Sequence, residues 1–309
     1  MGEAVDPERS SADPAYEDMI AEEARVWSQE SRRDTERWLP DWRVYKNTWP
    51  YRTYRRKWTE LFFETIPPGS VVLEIGCNLG WFALELARQG CHVTGVDVAE
   101  GAIGIARDHL ATVQQTETLP ESLRYECRDV TVEALGSEGT YDFVMPRGVL
   151  HHLPDPNRTM AEVTRVLKPD GLFLIDDGRA TGRREATIVA VLLTLLPTEM
   201  SYRKKAAHIW HNRTRLVGRA QAFIDREGDS PFEGVTGDAD QLIPRYFDVT
   251  FSTTFAAVTG SLASQVRLPR PLKHALLSVS TVVDEFCVRL GLLHGSNFVM
   301  FARRRPQEQ

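Results

Sequence analysis

The sequence predicts an α/β fold built on a parallel sheet, and three observations predict it. Val71-Val72-Leu73-Glu74-Ile75 is a short apolar run, rich in β-branched residues, the pattern of a strand buried on both faces. The run passes through Gly76-Cys77-Asn78-Leu79-Gly80 into Trp81, Phe82, Leu84, Leu86 and Ala87, dense enough in apolar residues for a packed helix. Roughly 20 residues further on, His92-Val93-Thr94-Gly95-Val96-Asp97 reads as a second strand ending in a carboxylate placed to hold ribose hydroxyls. Strand, glycine-bearing turn, helix and acid-ended strand compose a Rossmann-like nucleotide site at the carboxyl edge of a parallel sheet.

The loop narrows the ligand. Its glycines lack a Cβ and let the backbone approach a bound molecule. Asn78 stands where many such loops carry another glycine, and asparagine is one of the few other residues that tolerates a left-handed conformation. A glycine loop alone reads equally well as a tight turn between strand and helix; Asp97 is what makes it a ligand site. A nicotinamide dinucleotide site shares these features, but this loop lacks the G-x-G-x-x-G spacing and has Glu74 inside the strand end. A carboxylate there repels a pyrophosphate and attracts a cationic ligand.

The remaining elements follow in βα order. Strands are expected near 123–127, 141–145 and 172–175, and helices near 81–89, 101–110 and 157–167, the last after Pro156. Right-handed crossovers then place helices on both faces of the sheet. Arg128-Asp129-Val130 follows the third strand, Tyr141-Asp142-Phe143-Val144 forms the fourth, Leu150-His151-His152-Leu153-Pro154-Asp155 makes the turn after it, and Arg165-Val166-Leu167-Lys168-Pro169-Asp170-Gly171 leads into the fifth. From about residue 70 to about 177 this ordered set resembles the class I S-adenosylmethionine-dependent methyltransferases, of the small-molecule or sugar O-methyltransferase type (the type 11/25 group).

The resemblance implies a seven-stranded, mostly parallel sheet with an antiparallel last strand, residues 247–255 and 297–302 supplying the final pair. It implies S-adenosylmethionine as cofactor, bound by Glu74, Gly76, Cys77, Asn78 and Gly80 of the first motif, Asp97 and Val98 at the ribose, Asp129 and Val130 at the adenine, and Arg147. Asn78 in place of glycine is the departure from the family pattern. An alcohol acceptor must lose a proton, and histidine has a suitable pKa for taking it. His151 and His152 sit on the rim after the fourth strand, where some relatives use a histidine; the acid those relatives carry at the end of the fifth strand is matched by Asp176, with Asp177 beside it. The other reading of the histidine pair is turn packing, and alternation along the chain leaves one of the two facing the pocket. His208 and His211 lie one helical turn apart, which suits metal ligation or two solvated side chains; no metal is assigned.

Length and composition fit a soluble protein with a sizeable core: 309 residues, 42% hydrophobic and 26% charged. The formal net charge of -6 argues against a dedicated nucleic-acid binder. Cys77, Cys91, Cys127 and Cys287 have no C-x-x-C spacing and are expected as reduced, buried thiols, which with the acidic, polar N-terminus points to a cytoplasmic protein. Residues 1–14 read as a disordered tail, 15–66 as a helical aromatic and basic cap, and 67–309 as the catalytic domain, with a helical lid insertion at 185–226 and a second at 256–293, before and after the sixth strand.

Residues 42–58 carry six cations and six aromatic side chains and no acid after Trp42. They read either as a cap over the cofactor that offers stacking faces and positive charge to an acceptor, or as an amphipathic helix with Tyr54, Trp58, Leu61, Phe62 and Ile66 on its inner face; the second reading is preferred from Tyr54 onward, and both stay open for 42–51. The apolar run 187–196 is too short to span a bilayer, leaving a lid over the acceptor or an interfacial helix flanked by Arg183, Arg184, Arg203, Lys204 and Lys205. Leu272, Ala275, Leu276, Val279, Val283, Phe286 and Leu290 read as core packing. The expected partner is a small-molecule or glycan acceptor methylated on a hydroxyl, with a possible homo-oligomer. Competing readings are RNA methylation through residues 42–58, N- or C-methylation of a small or lipid-like acceptor, and a cofactor-binding scaffold subunit, against which Glu74, Asp97 and Asp129 all argue.

Overall fold

In chain order the helices are α1 (Pro14–Thr35), α2 (Trp42–Tyr45), α3 (Arg56–Thr65), α4 (Trp81–Arg88), α5 (Glu100–Val113), α6 (Pro156–Val166), α7 (Arg183–Leu195), α8 (Tyr202–His211), α9 (Ala239–Tyr246), α10 (Thr259–Gln265) and α11 (Arg270–Arg289). The strands are β1 (Val71–Ile75), β2 (His92–Asp97), β3 (Arg124–Cys127), β4 (Tyr141–Pro146), β5 (Leu167–Gly178), β6 (Phe247–Phe255) and β7 (Asn297–Arg304). The structure is a computed structural model that describes residues 14–35, 41–46, 54–120, 122–179, 181–211 and 239–305.

β1 takes a parallel partner on each edge, β2 from Val71↔His92 to Ile75↔Val96 and β4 from Val72↔Phe143 to Ile75↔Pro146. The seven-stranded sheet runs β3-β2-β1-β4-β5-β7-β6, with β7 antiparallel to both β5 and β6. This is the Rossmann-like, mostly parallel sheet with an antiparallel last strand that the sequence and its resemblance imply. The strand order reverses between β1 and β4, so the loops after these two strands diverge and leave a crevice at their carboxyl ends.

Period-two alternation along β1 separates the two sides of the core. Val72 joins Phe62, Phe63, Phe82, Leu84 and Leu174 on one face; Leu73 and Ile75 join Val144, Met160, Val163 and Phe173 on the other. Glu74 shares the face of Val72, which brings a carboxylate into an apolar layer. A third apolar cluster ties α7, through Val189 and Leu193, to Leu262 of α10 and Leu277 of α11.

Two sequence expectations are revised. The α11 stripe is not core: Leu272, Val279, Val283, Phe286 and Leu290 are exposed, while Leu277 and Asp284 face inward. The period-3.6 signal marks an apolar face without saying what covers it. Of the cysteines, Cys77 and Cys91 are buried, but Cys127 is exposed and Cys287 intermediate; all four are free thiols. No helix among the described residues is long and apolar enough to cross a membrane. Residues 1–13, 36–40, 47–53 and 212–238 lie outside the described residues, as do the side chains of His208 and His211. These hold the expected tail, Trp49, Tyr51 and Arg52 of the cap, and part of the lid insertion.

Candidate active site

The first motif folds as the residue types dictate. Gly76, Asn78 and Gly80 have φ of 72°, 47° and 73°, so the loop visits the left-handed region three times, once with asparagine. The glycines serve packing more directly than ligand approach. A Cβ on Gly76 would meet the Val149 side chain at 2.7 Å, and one on Gly80 would meet the Tyr125 ring at 2.5 Å, while the Tyr125 hydroxyl donates to the Gly80 carbonyl at 2.7 Å. Gly80 accordingly does not line the cleft.

The cleft at the switch point has a volume of ≈ 560 Å³ and includes Gly76, Asn78, Asp97, Val98, Asp129, Val130, Arg147 and His152 in its wall. Asp97 is pinned in place: Oδ2 accepts from the Asn78 backbone N–H and Oδ1 from that of Ala99, both at 2.9 Å. Each oxygen keeps a further lone pair for a ribose hydroxyl. Burial pushes the Asp97 carboxyl up, and the backbone N–H groups of Ala99, Asn78 and Val98 oppose that shift. Asp129 accepts from the Thr131 N–H at 2.9 Å and from the Tyr16 hydroxyl at 2.8 Å. Burial and this hydrogen bond to Asp129 drive the Tyr16 phenol well above its ordinary value.

A smaller adjoining cavity of ≈ 150 Å³ is lined by Glu74, Cys77, Asn78, Trp81, Arg147, Arg55 and Asp176 among others. Glu74 is 2% exposed and its Oε2 has no hydrogen-bond partner among the described residues. Burial pushes this carboxyl up to about 8, against the opposing charge of Arg147. The Arg147 guanidinium lies over the rings of Phe82 at 4.2 Å and Trp81 at 4.9 Å and reaches Asp176 at 3.8 Å.

An unpartnered buried carboxylate oxygen beside an oriented diol acceptor fits S-adenosylmethionine. Glu74 would hold the ammonium of the methionyl end, Asp97 the ribose diol and Asp129 the adenine amino group. The cofactor would bring a sulfonium-activated methyl group.

Helix α1 roofs the cleft with Ile20, Glu23 and Trp27, and Ser31 donates to Asn78 Oδ1 at 2.9 Å. Helix α1 of the N-terminal cap therefore covers the cleft that Asp97 and Asp129 line. Trp42 is core, stacked on Trp81 with centroids 5.4 Å apart, while Tyr45 lies against Trp81 and reaches both cavities. From Tyr54 onward the amphipathic reading fits: Tyr54, Trp58 and Leu61 pack against the core, and Arg56 and Lys57 pair with Glu60 and Glu285. Arg55 is the exception, since it lines both cavities and approaches Asp176 at 3.8 Å.

The two histidines occupy different environments. His151 is hydrogen-bonded through Nδ1 to Asp177, whose carboxylate also accepts from the Leu150 N–H at 2.7 Å and the Gly178 N–H at 2.6 Å. The acid expected to assist the imidazole was Asp176; the structure places Asp177 there instead. Neighbours on a strand point to opposite faces, so Asp176 turns toward Arg147 and Asp177 toward the turn at Leu150–His152. His152 lines the cleft, with the edge of Trp27 at 5.2 Å, the His151 ring at 4.0 Å and Glu23 Oε1 at 3.5 Å. Burial, with the adjacent His151, pushes it down to about 4. Tyr16, Glu23 and Ser31 were invisible to motif reasoning because they act from a helix remote in sequence.

The sheet order and the cleft at its switch point are those that the resemblance to class I S-adenosylmethionine-dependent methyltransferases implies. Residues 30–223 match the family described as "Methyltransferase domain", and the chain belongs to that family. It is similar to a ubiquinone biosynthesis O-methyltransferase of Bordetella avium, 32% identical over 137 residues that make up 44% of this chain and 53% of the relative. A protein of the same name from Aromatoleum aromaticum is 35% identical over 103 residues, 33% of this chain and 42% of the relative. The chain thus spans about half the length of the curated relatives it matches, or less. Among solved structures, it is similar to phosphoethanolamine N-methyltransferase 2 of Haemonchus contortus in complex with S-adenosyl-L-methionine, with a TM-score of 0.47 and 13% identity, covering 81% of this chain and 53% of that one.

Proposed function

We propose that this protein transfers the methyl group of S-adenosylmethionine to a hydroxyl oxygen of a small molecule, with His151 as general base and Asp177 as the residue that positions it. The observation that carries the reading is the His151–Asp177 hydrogen bond, made by a carboxylate that two backbone N–H groups hold in place. Donation from Nδ1 puts the imidazole lone pair on Nε2, the nitrogen that would take the acceptor proton. His152, kept neutral by burial beside Trp27 and His151, shapes the cleft instead.

Methyl transfer from a sulfonium is an in-line displacement, so alignment of the acceptor oxygen with the methyl carbon is the main task of the protein. Helix α1 above and the Trp81–Phe82–Arg147 stack below would exclude water and fix the methionyl end. Oxygen as the acceptor atom is supported by relatives named as O-methyltransferases. A sugar, glycan or secondary-metabolite hydroxyl is the finer expectation from the resemblance.

The test is labelled methyl transfer to a panel of sugar and aromatic alcohols and matching amines, with wild type, His151→Ala and His152→Ala. Label on an alcohol, lost by about 100-fold or more only in His151→Ala, is expected for a general base. Label on amines alone, or equal turnover in all three proteins, rejects the assignment.

A further inference from the structure

Exposed large apolar side chains are concentrated on one region. Of the fourteen found among the described residues, eleven belong to α7, the start of α8, α11 and the turn after α11. On α11 they have a finer order. Leu272, Leu276, Val279, Val283, Phe286 and Leu290 are spaced 4, 3, 4, 3 and 4 residues apart, the d-a-d-a-d-a seam of a helix that packs lengthwise on another helix. Leu276 is partly buried and the other five are exposed. The opposite face is already in use: Leu277 packs with Val189 and Leu193 of α7, and Asp284 accepts from the N–H groups of Val258 and Thr259. Leu276 borders that inner cluster and packs against it, while the other five seam residues point away from the body of the protein.

We infer that this seam is a self-association surface, and that its occupant is α11 of a second copy of this chain. The seam is self-complementary about a two-fold axis, the requirement for an isologous contact. Antiparallel pairing centred on Thr281 opposes Leu272 to Leu290 of the other copy, Leu276 to Phe286, and Val279 to Val283. Bulky residues then fill the outer layers and β-branched ones the middle. The flanking positions agree. Lys273, Ala275, Ser280, Val282, Cys287 and Arg289 occupy the e and g sites, so the antiparallel contacts are Lys273 with Cys287, Ser280 with Ser280, Ala275 with Arg289 and Val282 with Val282. None sets like charges opposite each other, and Val282, itself 68% exposed, widens the apolar strip. Antiparallel helices also oppose their dipoles. An interfacial membrane helix is bordered by cations along its length; here only Lys273 and Arg289, one near each end, flank the strip, which fits a helix better.

Pairing would also brace the lid region, because the inner face of α11 shares a cluster with α7. The test is sedimentation velocity on the full chain over a range of concentrations, comparing wild type with Val279→Glu/Val283→Glu. Both valines are exposed in the single chain, so the variant should keep the far-ultraviolet spectrum and cofactor binding of wild type. A dimer for wild type and a monomer for the variant is the expected result. A second variant, Val282→Cys, places a thiol beside the two-fold axis and should give a covalent dimer on mild oxidation. A monomeric wild type overturns the inference, whether the seam is covered within one chain or binds anionic vesicles instead. So does a dimer that survives both glutamates.

Discussion

Asp177 accepts the Nδ1 proton of His151, and it does so from a strand position adjacent to the acid that faces Arg147. The two neighbouring carboxylates are thereby divided between separate duties, one toward the imidazole and one toward the guanidinium. Replacing Asp177 with Asn keeps the shape but offers His151 an amide that can stabilise the wrong tautomer. Turnover of an alcohol acceptor should fall by about 100-fold or more, with cofactor affinity within a factor of about two. Asp176→Asn should instead disturb the Arg147 end and shift cofactor or acceptor affinity. If Asp177→Asn leaves both turnover and its pH profile unchanged, His151 is not the base.

Glu74 gives a linkage prediction with a definite sign. Its folded-state pKa of about 8 lies above the ordinary carboxyl value of 4.5, because burial disfavours the anion. Between these values the folded state retains a proton that the unfolded state has lost, so this group lowers stability as pH rises through the window. At pH 7 the penalty is on the order of 3 kcal/mol. Glu74→Gln should raise the melting temperature of the ligand-free protein at pH 7 and flatten its decline toward pH 8. The same change should weaken cofactor binding, since the amide offers no charge to an ammonium. Wild-type binding near pH 7 should release a proton, measurable by calorimetry in buffers of differing ionisation enthalpy; no dependence on the buffer would remove Glu74 from the ammonium site.

The sheet was legible because its signals are local. The run at Val71–Ile75, the carboxylate at Asp97 and the turn at Leu150–His152 each appear within a few residues, and the βα alternation orders them. The site was legible only where strand ends carry it. Asp177 in place of Asp176 depends on the phase of β5, which a one-residue error inverts. Tyr16, Glu23 and Ser31 reach Asp129, His152 and Asn78 across long stretches of chain, and no spacing rule reports such a contact. Hydrophobic periodicity likewise found the apolar stripe of α11 but assigned it to the core, since periodicity carries no information about what lies opposite.

His152 has the reverse linkage. Its pKa is pushed down to about 4 from 6.5, so the unfolded state binds a proton over this interval while the folded state does not. Stability should rise with pH from about 4 to 6.5 on account of this residue, and a neutral substitute should remove that component. His152→Phe, which keeps a ring against Trp27, should flatten the acid limb of a urea-melt series without changing the alcohol-transfer pH profile assigned to His151. A lost catalytic limb in His152→Phe, with His151→Ala unaffected, would exchange the two roles.

Helix α1 roofs the proposed cofactor site. Tyr16 donates to Asp129 and Ser31 to Asn78 Oδ1, so two side chains of one helix are tied to the proposed adenine acid and to the left-handed residue of the glycine loop. Tyr16 and Ser31 are both buried, and Trp27 adds an aromatic edge over His152. If this roof closes over bound cofactor, loosening it should affect escape more than capture. Tyr16→Phe loses a hydrogen bond to a charged acceptor, worth ~1.5–3 kcal/mol, and Ser31→Ala loses a neutral one, worth ~0.5–1.5 kcal/mol. Stopped-flow measurement should show the cofactor dissociation rate rising about 10-fold in Tyr16→Phe and less in Ser31→Ala, with the association rate changed little or increased. Removing residues 1–35 should abolish tight cofactor binding while the sheet keeps its circular dichroism, because the strands and their two apolar faces lie wholly C-terminal to the deletion. A truncated protein that binds cofactor as wild type does would remove α1 from the cofactor site.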